Sequence, residues 1–188
     1  MTEDHLAALW PALGVPDVFA GGYGGGPAGL PADKASFVEW MRATYLNHED
    51  RFPFAVRLAS GPDAGRLVGA STLGDLDESN SNLQLGWTAY DPTLWGTAVN
   101  PETKLLLLGF AFESGYNRVT IQADAINARS RAAILKLGAT FEGIQRKHRI
   151  RADGSWRDTA VYSVLDTEWP VVAAALRARL DLAPEPSA

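Results

Sequence analysis

The pattern of hydrophobic and polar positions along the 188-residue chain predicts an α/β protein. Apolar residues recur three and four positions apart, as in helices, in residues 2–13, 32–46, 101–114, 128–137 and 167–180. Strands are predicted at residues 52–58, 66–73, 83–87, 119–123, 143–151 and 157–165, with a clear alternation of apolar and polar residues at 119–123. Residues 14–31 are rich in glycine and proline, which predicts a loop.

Signals at single residues refine this pattern. The helix predicted at 101–114 is apolar on nearly all sides, which is typical of a buried helix. Asp153-Gly154 indicates a hairpin between the last two strands, and Gly138 is expected to end its helix in left-handed geometry. No internal repeat or linker divides the sequence, so we expect one domain over residues 1–188 with a frayed tail at 183–188.

Composition excludes several classes of protein. Without cysteine the chain has no disulfide, no thiolate nucleophile and no cysteine-based metal site, and we expect no metal cofactor. The longest apolar stretches are far too short to span a membrane, and the N-terminus lacks the features of a signal peptide, so we expect a cytoplasmic protein without a membrane partner. The formal charge of −5 does not indicate the excess of basic residues that a nucleic-acid partner requires, although it is compatible with a cationic amine substrate.

The most informative chemistry lies in residues 86–143, where a glycine-bearing turn runs directly into the buried helix. The turn consists of Trp95, Gly96, Thr97, Ala98, Val99 and Asn100. Its free amides point out of a helix start and suit an anion such as pyrophosphate. Gly96 allows close approach of a phosphate, Asn100 is expected to cap the helix, and Pro101 sits where a missing N–H costs nothing.

These residues resemble the acetyl-coenzyme A site of the GNAT (GCN5-related) N-acetyltransferases. Gly96 and Ala98 match the family signature Q/R-x-x-G-x-G/A, whereas Thr93 and Trp95 replace its polar head and its basic residue. The continuation at residues 100–105 is similar to a variant in the RimJ/RimL-like branch, which acetylates the N-termini of ribosomal proteins. The resemblance covers about residues 2–180 and is strongest at 86–170.

The resemblance implies a GNAT fold, in which a mixed and mostly antiparallel twisted sheet is flanked by helices. The family's first strand is apparently missing, because the chain begins almost at the first helix. Either the start codon is placed late, or another segment fills that sheet edge. This departure leaves the oligomeric state open between monomer and homodimer.

The resemblance also implies roles for individual side chains. Asn127 contacts the pantetheine arm, a role compatible with capping the next helix, and Ser130 is the catalytic residue that donates to the departing thiolate. Arg131, and with it Arg129, contacts coenzyme phosphates or simply faces solvent. Lys104 reaches phosphate or is a solvated lysine.

The general base is not evident from the sequence. Many GNAT enzymes carry a glutamate on the strand before the turn, where this chain has Gln84 or Leu85. The candidates are His148, Asp158 and Tyr162 on the last two strands, and each also has a structural explanation. Because a free α-amine has a pKa of about 8, a water molecule or a modest base is enough to take its proton.

The resemblance implies transfer of acetyl from acetyl-CoA to a primary amine by direct attack within a ternary complex. The acceptor is a protein N-terminal α-amine or a small amine, and the backbone amides at residues 86–88 polarise the thioester carbonyl. The alternative is a GNAT-shaped module that binds an acyl-CoA without catalysis and acts as a sensor or interaction domain.

Two further segments have simple explanations. Residues 24–29 satisfy the dinucleotide pattern G-x-G-x-x-G, but no convincing strand precedes them and prolines interrupt the run. We interpret them as a mobile loop or as a flap over the acceptor site. The acidic residues Asp75, Asp77 and Glu78 attract a cationic acceptor or belong to a solvated loop.

Overall fold

A six-stranded sheet with helices packed on it forms the part of the chain that the computed structural model describes, residues 1–182. The strands are β1 (Phe52–Arg57), β2 (Leu67–Asp77), β3 (Asn82–Tyr90), β4 (Arg118–Asp124), β5 (Thr140–Ile150) and β6 (Trp156–Leu165). The helices are α1 (Glu3–Ala8), α2 (Trp10–Leu13), α3 (Pro16–Phe19), α4 (Lys34–Met41), α5 (Val99–Glu113), α6 (Ala128–Leu137) and α7 (Trp169–Arg179). The predicted tail at 183–188 lies outside the described residues.

The strand order is β1-β2-β3-β4-β6-β5. β3 and β4 are parallel, and the other neighbouring strands are antiparallel. This topology confirms the predicted mixed and mostly antiparallel sheet. Within residues 1–182 no strand precedes β1, as expected, and the α-ammonium of Met1 donates to the carbonyl of Pro53 on this edge strand at 2.6 Å.

The parallel pair β3–β4 is short. Only residues 82–84 pair with residues 118–120, although the strands continue to Tyr90 and Asp124. The strands therefore separate toward their carboxyl ends and leave a cleft. Because α5 follows β3 and α6 follows β4, both helix starts lie near this cleft.

A bulge distorts β3 beside the cleft. Ala70 of β2 pairs with Ala89, but Thr72 pairs with Gly86, so β3 carries one residue more than β2 between these pairs. Trp87 within the bulge has φ 47°, a left-handed conformation that is uncommon for a large side chain. A bulge leaves one residue out of the ladder and bends the strand. The bulge therefore redirects the backbone of β3 where the cleft opens.

Two hydrophobic clusters stabilise the sheet. One joins α5, α6 and α7 to β3, β4 and β6, and the other joins α1 to α4 to the β2–β3 pair. The expectation that the helix at 101–114 is buried holds for one face only. Leu106 and Phe110 of α5 are 65% and 54% exposed, and Phe110 lies edge-on to Phe54 of β1.

The N-terminal region departs from the prediction. The helix expected at 2–13 divides into α1 and α2, because Pro11 lacks an amide and its ring conflicts with the preceding turn. The segment expected to be a loop, 14–31, contains α3 and two short 3₁₀ turns. Among residues 1–182, no helix combines the length and the apolar character needed to cross a bilayer.

Candidate active site

Two cavities meet at the cleft between β3 and β4. The turn-side cavity, of about 220 Å³, has in its wall Leu94, Trp95, Gly96, Asn100, Lys104 and Arg129. The loop-side cavity, of about 370 Å³, has in its wall Gly22, Trp40, Asp124, Arg149, Arg151 and Arg157. The residues common to both walls include Tyr23, Gly86, Trp87, Thr88, Asn127 and Ser130. A molecule in one cavity therefore meets a molecule in the other beside the β3 bulge.

The turn after β3 has free backbone amides, and two of its residues, Gly96 and Asn100, border the turn-side cavity. In the part of the chain that the structure describes, the amides of Gly96, Ala98 and Asn100 have no hydrogen-bond acceptor. Gly96 has φ 80°, and a Cβ at this position would have nothing within 4 Å. Unpaired amides at a helix start, with open space before them, are a physical fit for a phosphate group.

The helix start differs from the prediction. α5 begins at Val99 with Ala98 as its N-cap residue, so the expectation that Asn100 caps the helix is wrong. The hydroxyl of Thr97 accepts from the Val99 amide at 3.4 Å, which supports the earlier start. Pro101 lies in the first turn of α5, where backbone amides have no acceptor within the helix, so the missing amide of proline costs no hydrogen bond. Asn100 faces the turn-side cavity instead.

Asp91 fixes the path of the chain between β3 and the turn. Its carboxylate accepts from the Thr93 amide at 2.9 Å and from Arg66 at 2.6 Å. Although burial raises the pKa of Asp91, the bonds from Thr93 and Arg66 outweigh burial and hold the pKa below its usual value. An ionised Asp91 therefore anchors the segment that leads into the amides.

The two arginines of α6 face different ways. Arg129 lies over the ring of Trp95, 3.3 Å from its centroid, and borders the turn-side cavity. Arg131 donates to the hydroxyl of Tyr162 at 3.0 Å and to the carbonyl of Ala125 at 3.2 Å, and it borders neither cavity. The structure thus brings Arg129, rather than Arg131, to the turn.

Lys104 is a buried lysine, 6% exposed, so the alternative of a solvated lysine is wrong. Its Nζ donates to Thr88 Oγ1 at 2.9 Å and to Ser71 Oγ at 3.3 Å. Burial lowers its pKa to about 7. The side chain therefore reaches the β3 bulge from α5, at the inner end of the turn-side cavity. Its contact with coenzyme phosphate stays a prediction.

Asn127 and Ser130 lie together at the start of α6. Asn127 Oδ1 accepts from the Ser130 amide at 3.0 Å, so Asn127 is the N-cap residue. Among the described residues nothing bonds to the Ser130 hydroxyl. Both side chains border both cavities, so capping and substrate contact are compatible for Asn127.

A pair of tyrosines supports the bulge from below, a feature not found from sequence. Tyr45 donates to the carbonyl of Trp87 at 2.7 Å, and its hydroxyl is also bonded to that of Tyr23. Because each hydroxyl has one proton, Tyr23 must donate to Tyr45, which leaves the oxygen of Tyr23 as an acceptor. Tyr23 borders both cavities.

The glycine-rich loop forms a wall of the loop-side cavity. Gly22 has φ 94°, and a Cβ at this position would lie 2.6 Å from Asp124 Oδ2. The helix α3 precedes the run 24–29, and 3₁₀ turns contain it. The strand–turn–helix arrangement of a dinucleotide site is therefore not formed.

A protein-family model, the acetyltransferase (GNAT) domain, matches residues 1–140. The chain belongs to the GNAT acetyltransferase family. No curated protein sequence gives a significant match to the chain.

Solved structures agree with the family assignment. A protein of T. thermophilus described as an acetyltransferase is 32% identical, with a TM-score of 0.82 over 96% of this chain and 90% of that chain. A GCN5-related N-acetyltransferase from Brucella melitensis is 29% identical, with a TM-score of 0.79 over 94% and 76%. RimJ of Mycobacterium smegmatis, in complex with CoA-disulfide, is 22% identical with a TM-score of 0.62 over 78% and 68%, and it shares the fold.

The predicted family and fold are thus confirmed, and the chain is an acyltransferase. GNAT acetyltransferases use acetyl-CoA, and the free amides of the turn, the open space at Gly96 and the guanidinium of Arg129 fit its pyrophosphate. The contacts of individual residues with the coenzyme stay predictions.

None of the three candidates for the general base borders a cavity. His148 bonds to Thr159 at 3.0 Å, Asp158 accepts from the amide of Lys147 at 2.7 Å, and Tyr162 is fully buried. Gln84 lies in the wall of the loop-side cavity and Leu85 in that of the turn-side cavity, and neither residue is a carboxylate.

Asp124, at the end of β4, is a cavity residue that the sequence interpretation missed. It is 2% exposed and forms a two-bond ion pair with Arg151, with both distances 2.9 Å. The available signal was an acidic residue at the last position of a buried strand, directly before the Asn127 helix start. Its partners lie about thirty residues later on the β5–β6 hairpin, where no local motif points to them.

The acidic run near residue 77 does not reach the cavities. Asp77 accepts from Ser79 at 2.6 Å and from Asn80 at 2.7 Å, so it orders its own loop. Across residues 1–182, no group of three or more His, Asp or Glu side chains could hold a metal ion.

We predict that Gly96→Asp weakens coenzyme A binding and that Gly96→Asn does not to the same degree. Both side chains tolerate φ near 80° and enter open space, but only aspartate repels phosphate. The expected difference between the variants is at least about tenfold in Kd, equivalent to about 1.4 kcal/mol. Calorimetry with coenzyme A measures it, and equal affinities of both variants would contradict a phosphate at this turn.

We predict a pH-dependent stability difference between the wild type and Lys104→Met. Because the folded pKa of Lys104 is about 7, against an ordinary value of 10.5, the unfolded chain binds more protons between these values. The wild type should therefore gain stability relative to the variant as pH rises from 8 to 10, by up to about 1.4 kcal/mol per pH unit.

Urea unfolding at several pH values checks this expectation. Lys136→Met, at an exposed position of α6, is the matched control and should show no such difference. Parallel stability profiles for the wild type and Lys104→Met would show that Lys104 stays charged in the folded protein.

Proposed function

We propose that the chain is a RimJ/RimL-like N-acetyltransferase, which moves acetyl from acetyl-CoA to a primary amine by direct attack in a ternary complex. The acceptor is a protein N-terminal α-amine or a small amine. The observation that supports this proposal most is the meeting of two cavities at residues 86–88 and Ser130, because both substrates must reach one point.

The coenzyme occupies the turn-side cavity in this proposal. Its pyrophosphate accepts from the amides of Gly96, Ala98 and Asn100 and pairs with Arg129. The pantetheine arm follows β3 past Asn127 toward the bulge. The thioester carbonyl then lies beside the backbone amides at residues 86–88, which polarise it as negative charge develops on the oxygen.

The acceptor amine enters from the loop-side cavity and attacks the thioester carbonyl carbon. The C–N bond forms, the C–S bond breaks, and the departing thiolate accepts a hydrogen bond from the Ser130 hydroxyl. The chain has no cysteine, so no acyl-cysteine intermediate precedes transfer. The oxygen of Tyr23 accepts from an N–H of the incoming amine and orients its lone pair.

The proton of the amine leaves to water. Asp124 is the one carboxylate that the described residues place in the walls of these two cavities, and it is paired with Arg151. The side-chain amide of Gln84, in the same wall as Asp124, is not a base. An α-amine with a pKa of about 8 is already partly neutral near physiological pH. The alternative, a module that binds an acyl-CoA without catalysis, rests on Gln84 in place of a glutamate, and turnover of acetyl-CoA with a panel of amines separates the two.

We predict that Ser130→Ala lowers kcat by roughly 10- to 1,000-fold, the scale of lost acid assistance. The cap of α6 uses the Ser130 amide and not its hydroxyl, so the fold and the coenzyme affinity should change little. Steady-state kinetics and calorimetry measure both quantities. Ser114→Ala, at the distant end of α5, is the control, and an unchanged kcat in Ser130→Ala would leave Ser130 as a helix-start residue.

We predict that kcat/KM rises with pH and levels off near the pKa of the acceptor amine, about 8 for an α-amine. His148→Ala and Asp158→Asn should both retain turnover, because neither side chain borders a cavity. A loss beyond about a thousandfold in either variant, with coenzyme binding intact, would establish a dedicated base and refute transfer of the proton to water.

A further inference from the structure

The wall of the loop-side cavity is positively charged, although the whole chain carries a formal charge of −5. Its charged residues are Asp124, Arg149, Arg151 and Arg157, which together have a formal charge of +2. The acidic residues of the chain therefore do not make this cavity suited to a polycation. The charge of the cavity wall is opposite in sign to the net charge of the chain.

The single carboxylate in this wall is already occupied. Both oxygens of Asp124 are bonded to Arg151, Oδ2 to Nε and Oδ1 to Nη2, and Oδ1 also accepts from the Ile126 amide at 3.3 Å. At 2% exposure the carboxylate offers little surface to a ligand. An ammonium group that docked on Asp124 would have to displace Arg151 first.

Arg157 lacks a full partner. Among residues 1–182 its side chain makes no hydrogen bond, its Nε is buried, and the nearest carboxylate oxygen, Asp124 Oδ2, is 4.0 Å from Nε. Its cross-strand neighbour is Arg149, on the same cavity wall. Burial lowers the pKa of Arg157; Asp124 partly opposes this, whereas Arg149 and Arg151 lower the pKa further. A partly buried guanidinium without a hydrogen-bonded anion is costly, and an anionic ligand group would reduce that cost.

We propose that the loop-side cavity selects a primary amine that carries an anionic group, a carboxylate or a phosphate, and that Arg157 with Arg149 binds the anion. This inference rests on the proposed acetyl transfer and names its acceptor class. The amine lies at the junction beside Tyr23 and Ser130, and the anion lies at the arginine end of the same cavity. Guanidinium groups suit both anions because they donate two parallel hydrogen bonds.

The anion could come from a small molecule or from an acidic residue near a peptide N-terminus, so two matched pairs of amines are needed. The first pair is O-phosphoethanolamine and ethanolamine. The second is the C-terminally amidated peptides Ala-Glu-Ala and Ala-Gln-Ala. Binding is measured by calorimetry with the protein saturated by coenzyme A, so that phosphate cannot occupy the turn. Turnover with acetyl-CoA is measured separately.

The expected result is a preference of at least about tenfold in Kd for the anionic member of one or both pairs. Arg157→Gln should weaken binding of that member by about 10- to 100-fold, the scale of a lost charge-assisted hydrogen bond, and leave the neutral member unchanged. Arg146→Gln, which removes the same charge from an exposed position of β5 outside both cavities, should change neither.

A structural role of Arg157 gives a different result. Removing a poorly paired, partly buried charge should leave the melting temperature of the free protein unchanged or higher, whereas loss of a structural contact would lower it. If Arg157→Gln does not fold, Arg149→Gln tests the same anion site from an exposed position.

Equal or tighter binding of the neutral members in both pairs would overturn the inference, as would a preference that survives Arg157→Gln. The proposed function fails in a distinguishable way. If no amine is acetylated while the anion preference and its loss in Arg157→Gln are observed, the cavity binds anions but the chain does not transfer acetyl. The pair that shows the preference identifies the source of the anion.

Discussion

The short pairing between β3 and β4 is the constraint on which the rest of the site depends. Hydrogen bonds join the two parallel strands only at residues 82–84 and 118–120, and beyond them the sheet opens. Parallel strands end at the same edge of a sheet, so the helices that follow them, α5 and α6, begin side by side. The bulge at Trp87, the free amides of the turn and Ser130 all converge because the ladder stops there.

Features that the local backbone dictates were predicted correctly from the sequence. Gly138 ends α6 with φ 105°, a left-handed conformation that favours glycine, as expected. Asn127 caps α6 as expected, and Asp153-Gly154 lies in the turn between β5 and β6. In each case the residue and its physical cause lie within a few positions of each other.

Two of the misplaced residues depend on partners that are distant in sequence, and the third depends on where a helix begins. For Lys104 the sequence left two roles undecided, contact with phosphate and exposure to solvent. In the structure its amine donates hydrogen bonds to Ser71 and Thr88 on the sheet. Asp124 was missed because its partner Arg151 is on another hairpin. Asn100 was expected as a cap because asparagine favours that position, yet the helix starts earlier and the side chain is left to the cavity. Tertiary contacts decide the cases of Lys104 and Asp124, whereas the start of α5 is set locally, with the Thr97 hydroxyl accepting from the Val99 amide.

The charge of the loop-side cavity also bears on the missing base. An ammonium group close to net positive charge loses its proton more readily, because repulsion disfavours its charged form. With Asp124 neutralised by Arg151, and with Arg149 and Arg157 in the same wall, an amine bound here in the proposed manner would be favoured in its free form. An anionic group on the acceptor supplies the binding that a bare amine lacks in such surroundings. An anion bound to Arg149 and Arg157 offsets part of this repulsion, so in the proposed mechanism the arginines act mainly in binding the acceptor, and the proton still passes to water.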